Sequence, residues 1–188
     1  MNPVRVQSSC QESHIVPCGK VFPAFVVLAG ALSSAEAAVE GLELRVQGIQ
    51  CTLCARTVER IVSKLPGVGE ASLEAGEGLL RVSALPGRSL DPDAIRKRLV
   101  KSGFPPAVDE EIRAVGSLQR GPRDRLIFRI TGGREQFDLL EGAQLKRLLQ
   151  ELPAGVPSRV AVRARVHRHP ATLPPSLSIL SYEVEAKR

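Results

Sequence analysis

The 188-residue chain has no tryptophan, one tyrosine and only 3% aromatic residues. Its core must therefore rest on Val, Leu, Ile and Ala, and small cores of that kind are marginal and gain from a staple or a neighbouring module. The scarcity also excludes a class of function. A net charge of +6 invites nucleic acid, but single strands are held on a row of stacking aromatics, and residues 110–188 offer only Phe128, Phe137 and Tyr182. No Walker, Rossmann or Ser-His-Asp pattern appears, so there is no positive case for an enzyme. The apolar run at residues 21–32 is 12 residues long, short of the roughly 20 needed to span a bilayer as a helix.

That run reads instead as the apolar region of a signal peptide. Lys20 precedes it, and Ala35 and Ala37 provide the Ala-x-Ala arrangement of a cleavage site, so the mature chain is expected to begin near Ala38. The alternative is an uncleaved anchor. Cys10, His14 and Cys18 lie in a long leader before Lys20 and are expected to be processed away, and no lipobox cysteine follows the run. The expected location is the periplasm or the exterior, and the mature protein is not an integral membrane protein. Residues 1–37 carry two bases (Arg5, Lys20) and two acids (Glu12, Glu36), so their loss leaves the charge unchanged.

What the chain does have is Gly48-Ile-Gln-Cys-Thr-Leu-Cys54, followed by Val58, Ile61, Val62 and Leu65 at the spacing of an amphipathic helix. Two thiols thus sit where a loop enters a helix. The unpaired N–H groups and positive dipole end of a helix start stabilise a thiolate, the form that binds soft metals. Cys-x-x-Cys alone is shared by zinc sites and redox motifs, so the flanking elements must decide.

Leu42, Leu44 and Val46 alternate as in a half-buried strand. After the helix come two more strands, 68–75 and 79–84, turned at Gly76 and Gly78. A second helix opens with Asp91 as N-cap, Pro92 at its first position and Leu90 placed to staple onto Ile95, and it closes at Gly103. Residues 104–108 are extended and supply a last short strand. The order is βαββαβ, a ferredoxin-like sandwich of two helices on one sheet.

With this order and motif, residues 41–108 resemble the heavy-metal-associated domain family, which includes copper chaperones, modules of copper-exporting ATPases and the periplasmic mercury-binding protein. The family motif is Gly-Met-x-Cys-x-x-Cys; Gly48, Cys51 and Cys54 fit it, and Ile49 stands at the methionine, a mild aliphatic exchange. The resemblance implies that Cys51 and Cys54 are the metal ligands and that Phe104, in Lys-Ser-Gly-Phe-Pro, packs beside them. It also implies delivery to a metal-transporting membrane protein or another metal acceptor.

Two thiolates satisfy a soft ion such as Cu(I) or Hg(II), whereas zinc wants four ligands, and Gln50, Thr52 and Leu53 add no charged one; zinc is therefore disfavoured. An open two-ligand site suits transfer, because a partner thiolate can enter before one of the originals leaves. The rival reading is a thiol-disulfide or regulatory interaction module with incidental metal binding. Against it stand the lack of Trp, the lack of Gly-Pro between the cysteines and the order of elements.

The second region begins after Asp109-Glu-Glu. Strands are expected at 112–119, 126–131 and 134–140, the last two joined at Gly132-Gly133, then a helix over 141–152, and strands at 159–168 and 177–185. Three strands, a helix and two strands resemble the OB-fold, a small five-stranded barrel. The expected organisation is a signal peptide at 1–37, a heavy-metal-associated domain at 38–109 and an OB-like β-barrel domain at 110–188. His167 and His169 share a strand face with Arg163 and Arg165; two imidazoles at that spacing can ligate Cu(II) or Zn(II), but adjacent arginines repel a cation, which favours a solvated basic face.

Overall fold

The computed structural model describes residues 38–133, 135–152, 159–169 and 174–185. The expected signal peptide, with Cys10, His14 and Cys18, lies outside the described residues. β1 (Val39–Val46), α1 (Thr52–Val62), β2 (Val68–Glu74), β3 (Leu79–Ala84), α2 (Pro92–Lys101) and β4 (Pro106–Arg120) follow in the expected order. The strand order is β2-β3-β1-β4, all antiparallel. Leu42, Leu44, Leu80 and Val82 turn inward against Val58 and Val62 of α1 and Ile95 and Leu99 of α2, all buried. This is the ferredoxin-like sandwich. The Asp91 carboxylate accepts the Ala94 N–H at 2.8 Å, and Leu90 and Ile95 are both buried, so cap and staple fix the start of α2 together. A bulge between Val68 and Glu70 shifts the face of β2, so Val68 and Leu73 are buried while Ala71 is only half-buried.

One difference from expectation has a clear cause. The short strand expected at 104–108 and the strand expected at 112–119 are a single strand, β4, which runs through the Asp109-Glu-Glu charge run and through the expected boundary at 109/110. Residues 107–115 contain neither Gly nor Pro to break it. Charge here does not mean solvent: Glu110 is only 2% exposed. Its carboxylate meets Arg96 of α2 at 2.8 Å and Arg168 at 2.7 Å, and Arg168 also reaches Asp93 of α2 at 2.9 Å. A buried carboxylate is tolerated only when paired and hydrogen-bonded in this way.

Beyond β4 come β5 (Leu126–Ile130), β6 (Gln136–Leu139), α3 (Ala143–Glu151), β7 (Arg159–His167) and β8 (Ser176–Glu185). β5 and β6 form the expected hairpin at Gly132-Gly133. β6 pairs β8 in parallel, β8 pairs β7, and β7 returns to pair β4 from Glu110 to Ser117. β4, β5, β6, β8 and β7 therefore make a ring of pairings, and β4 belongs to both the ring and the sandwich. The ring interior holds Phe128, Phe137, Val160, Val162, Ala164 and Leu177, all buried, with Leu145 and Leu148 of α3 buried alongside. Among the described residues no helix is long and apolar enough to cross a membrane.

Candidate metal centre

Two loops build the tip of the sandwich. The first leaves β1 through Gly48, whose φ of +80° is the left-handed conformation that glycine adopts without strain. A Cβ there would meet nothing within 4 Å, so the requirement is conformational rather than steric. Ile49 packs on the core in place of the family methionine. Cys51 is the N-cap of α1: its backbone is extended, and its sulfur accepts the Cys54 N–H at 3.3 Å, as a serine oxygen would.

The second loop leaves α2. The N–H of Phe104 bonds the Leu99 carbonyl at 3.0 Å and that of Gly103 bonds the Val100 carbonyl at 3.1 Å, with Gly103 at φ +84°. This is a Schellman motif, which usually pairs the residue after the glycine with an apolar partner one turn back. It turns Phe104 onto the core. The Gln47 N–H bonds the Pro105 carbonyl at 3.0 Å and ties the two loops side by side.

At the end of the first loop the Sγ atoms of Cys51 and Cys54 are 2.8 Å apart, both as free thiols. Cys51 is exposed and Cys54 half-exposed. The side-chain hydrogen bond from Cys54, helped by the N–H groups of Cys54 and Leu53, lowers the Cys51 pKa below its ordinary value. The same bond to Cys51 raises that of Cys54. The shared hydrogen bond thus makes Cys51 the more readily ionised of the two sulfurs. Leu53, between them, is 72% exposed. The pair can offer two sulfur donors to one soft cation.

The histidines are arranged differently from a ligand pair. His167 Nε2 lies 2.9 Å from Ser178 Oγ and His169 Nε2 lies 2.9 Å from Ser176 Oγ. Among the described residues no group of three or more His, Cys, Asp or Glu is placed to hold a metal ion. The arginine face is also less cationic than its sequence implies, because Arg163 and Arg165 both pair with Glu111 at 2.9 Å. The Arg96–Glu110–Arg168–Asp93 network is not legible in the sequence; the absence of Gly and Pro over 107–115 signals only an unbroken strand.

Residues 43–105 match the heavy-metal-associated domain family, so this part of the chain is a heavy-metal-associated domain. Among solved structures the chain is similar to oxidized MerP from Ralstonia metallidurans CH34, at 23% identity over 37% of this chain and 96% of that one, TM-score 0.34. It is also similar to the N-terminal soluble domains of Bacillus subtilis CopA, at 20% identity over 45% of this chain and 53% of that one, TM-score 0.34. A third similar structure, solved in work on crosstalk between Cu(I) and Zn(II) homeostasis, is 24% identical over 36% of this chain and 96% of that one, TM-score 0.33. No curated protein matches. The family match supports heavy-metal binding by residues 43–105.

Proposed function

We propose that the protein captures a soft ion, Cu(I) or Hg(II), on Cys51 and Cys54 and passes it to a partner in the periplasm or outside the cell. A metal-transporting membrane protein is the fitting acceptor, and residues 1–37 would serve as the export signal. The observation that carries this reading is the geometry of the thiols: close enough to clasp one cation, exposed enough for a third thiolate to enter, and with Cys51 already inclined to ionise. Gln50, Thr52 and Leu53 add no charged ligand, which supports a soft ion over zinc.

On this reading residues 38–109 are the metal-binding domain and residues 110–188 an OB-like barrel domain. Support for the second comes from the ring of five pairings with α3 between its third and fourth strands. The barrel would hold the metal-binding domain in a fixed pose, because β4 and the Glu110 ion pairs join the two.

Titration of the reduced protein with Cu(I), Hg(II) and Zn(II) against a competing chelator tests the proposal. Submicromolar binding of a soft ion, lost by at least about a thousandfold in Cys51→Ser/Cys54→Ser, is expected from the removal of both sulfur donors. Weak binding of all three ions together with a strongly oxidising dithiol potential would replace this reading with a thiol-disulfide role.

A further inference from the structure

One face of the sheet is open across both halves. β2, β3, β1, β4, β7 and β8 pair in that order, all antiparallel. Ile112 and Ala114 of β4 and Val162 and Ala164 of β7 are buried on the side of the helices and the ring interior. Arg113 and Arg163 alternate with them, so they project from the other side, where both are exposed. The register sets Ser83, Gly41, Arg113, Arg163 and Ser181 opposite one another in a single row across five strands.

Two guanidinium groups therefore stand side by side on neighbouring strands, an arrangement that destabilises a pairing. Arg163 is compensated by Glu111 at 2.9 Å. Arg113 takes part in no ion pair among the described residues. Its guanidinium lies over Gly41, where a Cβ would fall 2.5 Å from Arg113 Nε. The missing side chain of Gly41 is what leaves it that seat.

Two bulges shape the surface beside this row. On β1, Val39 faces Ala114 and Gly41 faces Arg113, which leaves Glu40 as an extra, exposed residue. On β8, Ala164 faces Ile179 and Arg163 faces Ser181, which leaves Leu180 as the extra one. That second shift brings Ser181 and Glu183 to the arginine face and gives Tyr182 to Glu151 of α3. Bulges re-aim side chains in this way and recur next to active sites. The next row carries Ala161 opposite Glu183, and the short alanine leaves a hollow of about 250 Å³ lined by Glu40, Arg113, Arg163, Ser181 and Glu183. Like Arg113, Glu40 and Glu183 take part in no ion pair among the described residues.

We infer that this hollow binds a small zwitterion of the α-amino acid class. Its carboxylate is held by Arg113 and Arg163, with the Ser181 hydroxyl donating to it, and its ammonium group by Glu40 and Glu183. Opposite charges line the hollow without meeting, and a ligand that carries both bridges them. A plain anion would leave the two carboxylates uncompensated beside it, and a plain cation the Arg113 guanidinium. The volume equals that of about eight waters at about 30 Å³ each, room for an amino acid and too little for a nucleotide. The site is separate from the thiols, since Gly41 precedes Val46 at the far end of β1 by about 17 Å of strand.

The test titrates the reduced, metal-free full chain with L-alanine and follows amide chemical shifts. Saturable shifts confined to residues 40–42, 112–114, 161–164 and 181–184 are expected. Binding should be at least about tenfold weaker for N-acetyl-L-alanine and for L-alaninamide, each of which lacks one of the two charges. Arg113→Gln and Glu183→Gln should each weaken L-alanine binding about tenfold by removing a charged partner, whereas Arg129→Gln, at an exposed position of β5, should leave it unchanged. Circular dichroism melting establishes that each variant is folded. Gly41→Ala, which unseats the Arg113 guanidinium without removing its charge, should also weaken binding and replaces Arg113→Gln if that variant is not folded.

The Cys51→Ser/Cys54→Ser protein should bind L-alanine as the wild type does, so the outcome does not depend on metal capture. Absence of saturable shifts with both L-alanine and L-leucine would overturn the inference. Equal binding of N-acetyl-L-alanine would also overturn it, by showing a plain anion site, and loss of binding in the double serine variant would do so by placing the ligand at the thiols.

Discussion

The two halves of the sheet are organised by opposite rules. In the heavy-metal-associated half the reactive groups come from one short stretch: Gly48 turns the chain, Cys51 caps the helix and Cys54 follows one turn later. In the ring half the polar groups that matter are partners far apart in sequence, such as Arg168 on Glu110 and Arg165 on Glu111, with separations of 58 and 54 residues. The first half leaves its thiols open to the surroundings, whereas these pairs of the second satisfy their charges internally. Local construction leaves a site available for exchange; long-range pairing holds one arrangement.

If β4 makes the two halves one cooperative structure, the comparison ends at function and does not extend to stability. Leu44→Ala removes a core side chain of the sandwich and Phe128→Ala one from the ring interior, both buried to 1% or less. Costs of about 2–5 and 3–5 kcal/mol respectively are expected from buried truncations of these types. Both should shift the same single urea transition, followed by circular dichroism and by amide signals in each half. Two separable transitions, each moved by only one of the variants, would show instead that the halves fold independently.

A smaller effect tests the junction itself. Glu110→Ala leaves Arg96 and Arg168 without their shared buried carboxylate, and breaking such a pair from one side costs several kcal/mol. Because both arginines keep some access to water, at 19% and 28% side-chain exposure, about 2–4 kcal/mol is expected from urea unfolding. Metal affinity per folded molecule should stay unchanged, since the thiols are capped and positioned within their own loop. A large loss of affinity would mean that the ring tunes the site through α2.

The same division explains what could be read from the residues alone. The βαββαβ order, the helix start at the thiols and the Asp91 cap follow from turn glycines, capping residues and hydrophobic spacing, all signals within a few residues, whereas the places of Gly48, Ile49 and Phe104 at the tip follow from the resemblance to the family motif. The run at 109–111 misled because three adjacent acids look like a solvated linker, and the buried Glu110 finds its partners in Arg96, 14 residues away, and Arg168, 58 residues away. Likewise the arginine face of β7 looked like a free basic stripe until β4 brought Glu111 against it. Pairing across the sheet is fixed by register, which no local pattern of charge encodes.

That last contact sharpens the comparison at its weakest point, the pairing of β4 with β7, which acid should weaken. Partial burial alone would push the Glu111 carboxyl up, but the hydrogen bonds and charges of Arg165 and Arg163 outweigh it and hold the group below its ordinary value of 4.5. A carboxyl that ionises more readily in the folded chain than in the unfolded one adds stability above the ordinary carboxylate range. That contribution disappears as the pH falls through 4.5 and past the lowered folded value. Since the arginines are about half exposed, about 1 kcal/mol is expected from pairs of this kind. Glu111→Gln should therefore be less stable than the wild type at pH 7 by about that amount, with the gap closing at pH 3. Unfolding curves at the two pH values measure it, and a gap that persists unchanged in acid would mean that Glu111 contributes through packing along β4 rather than through its charge.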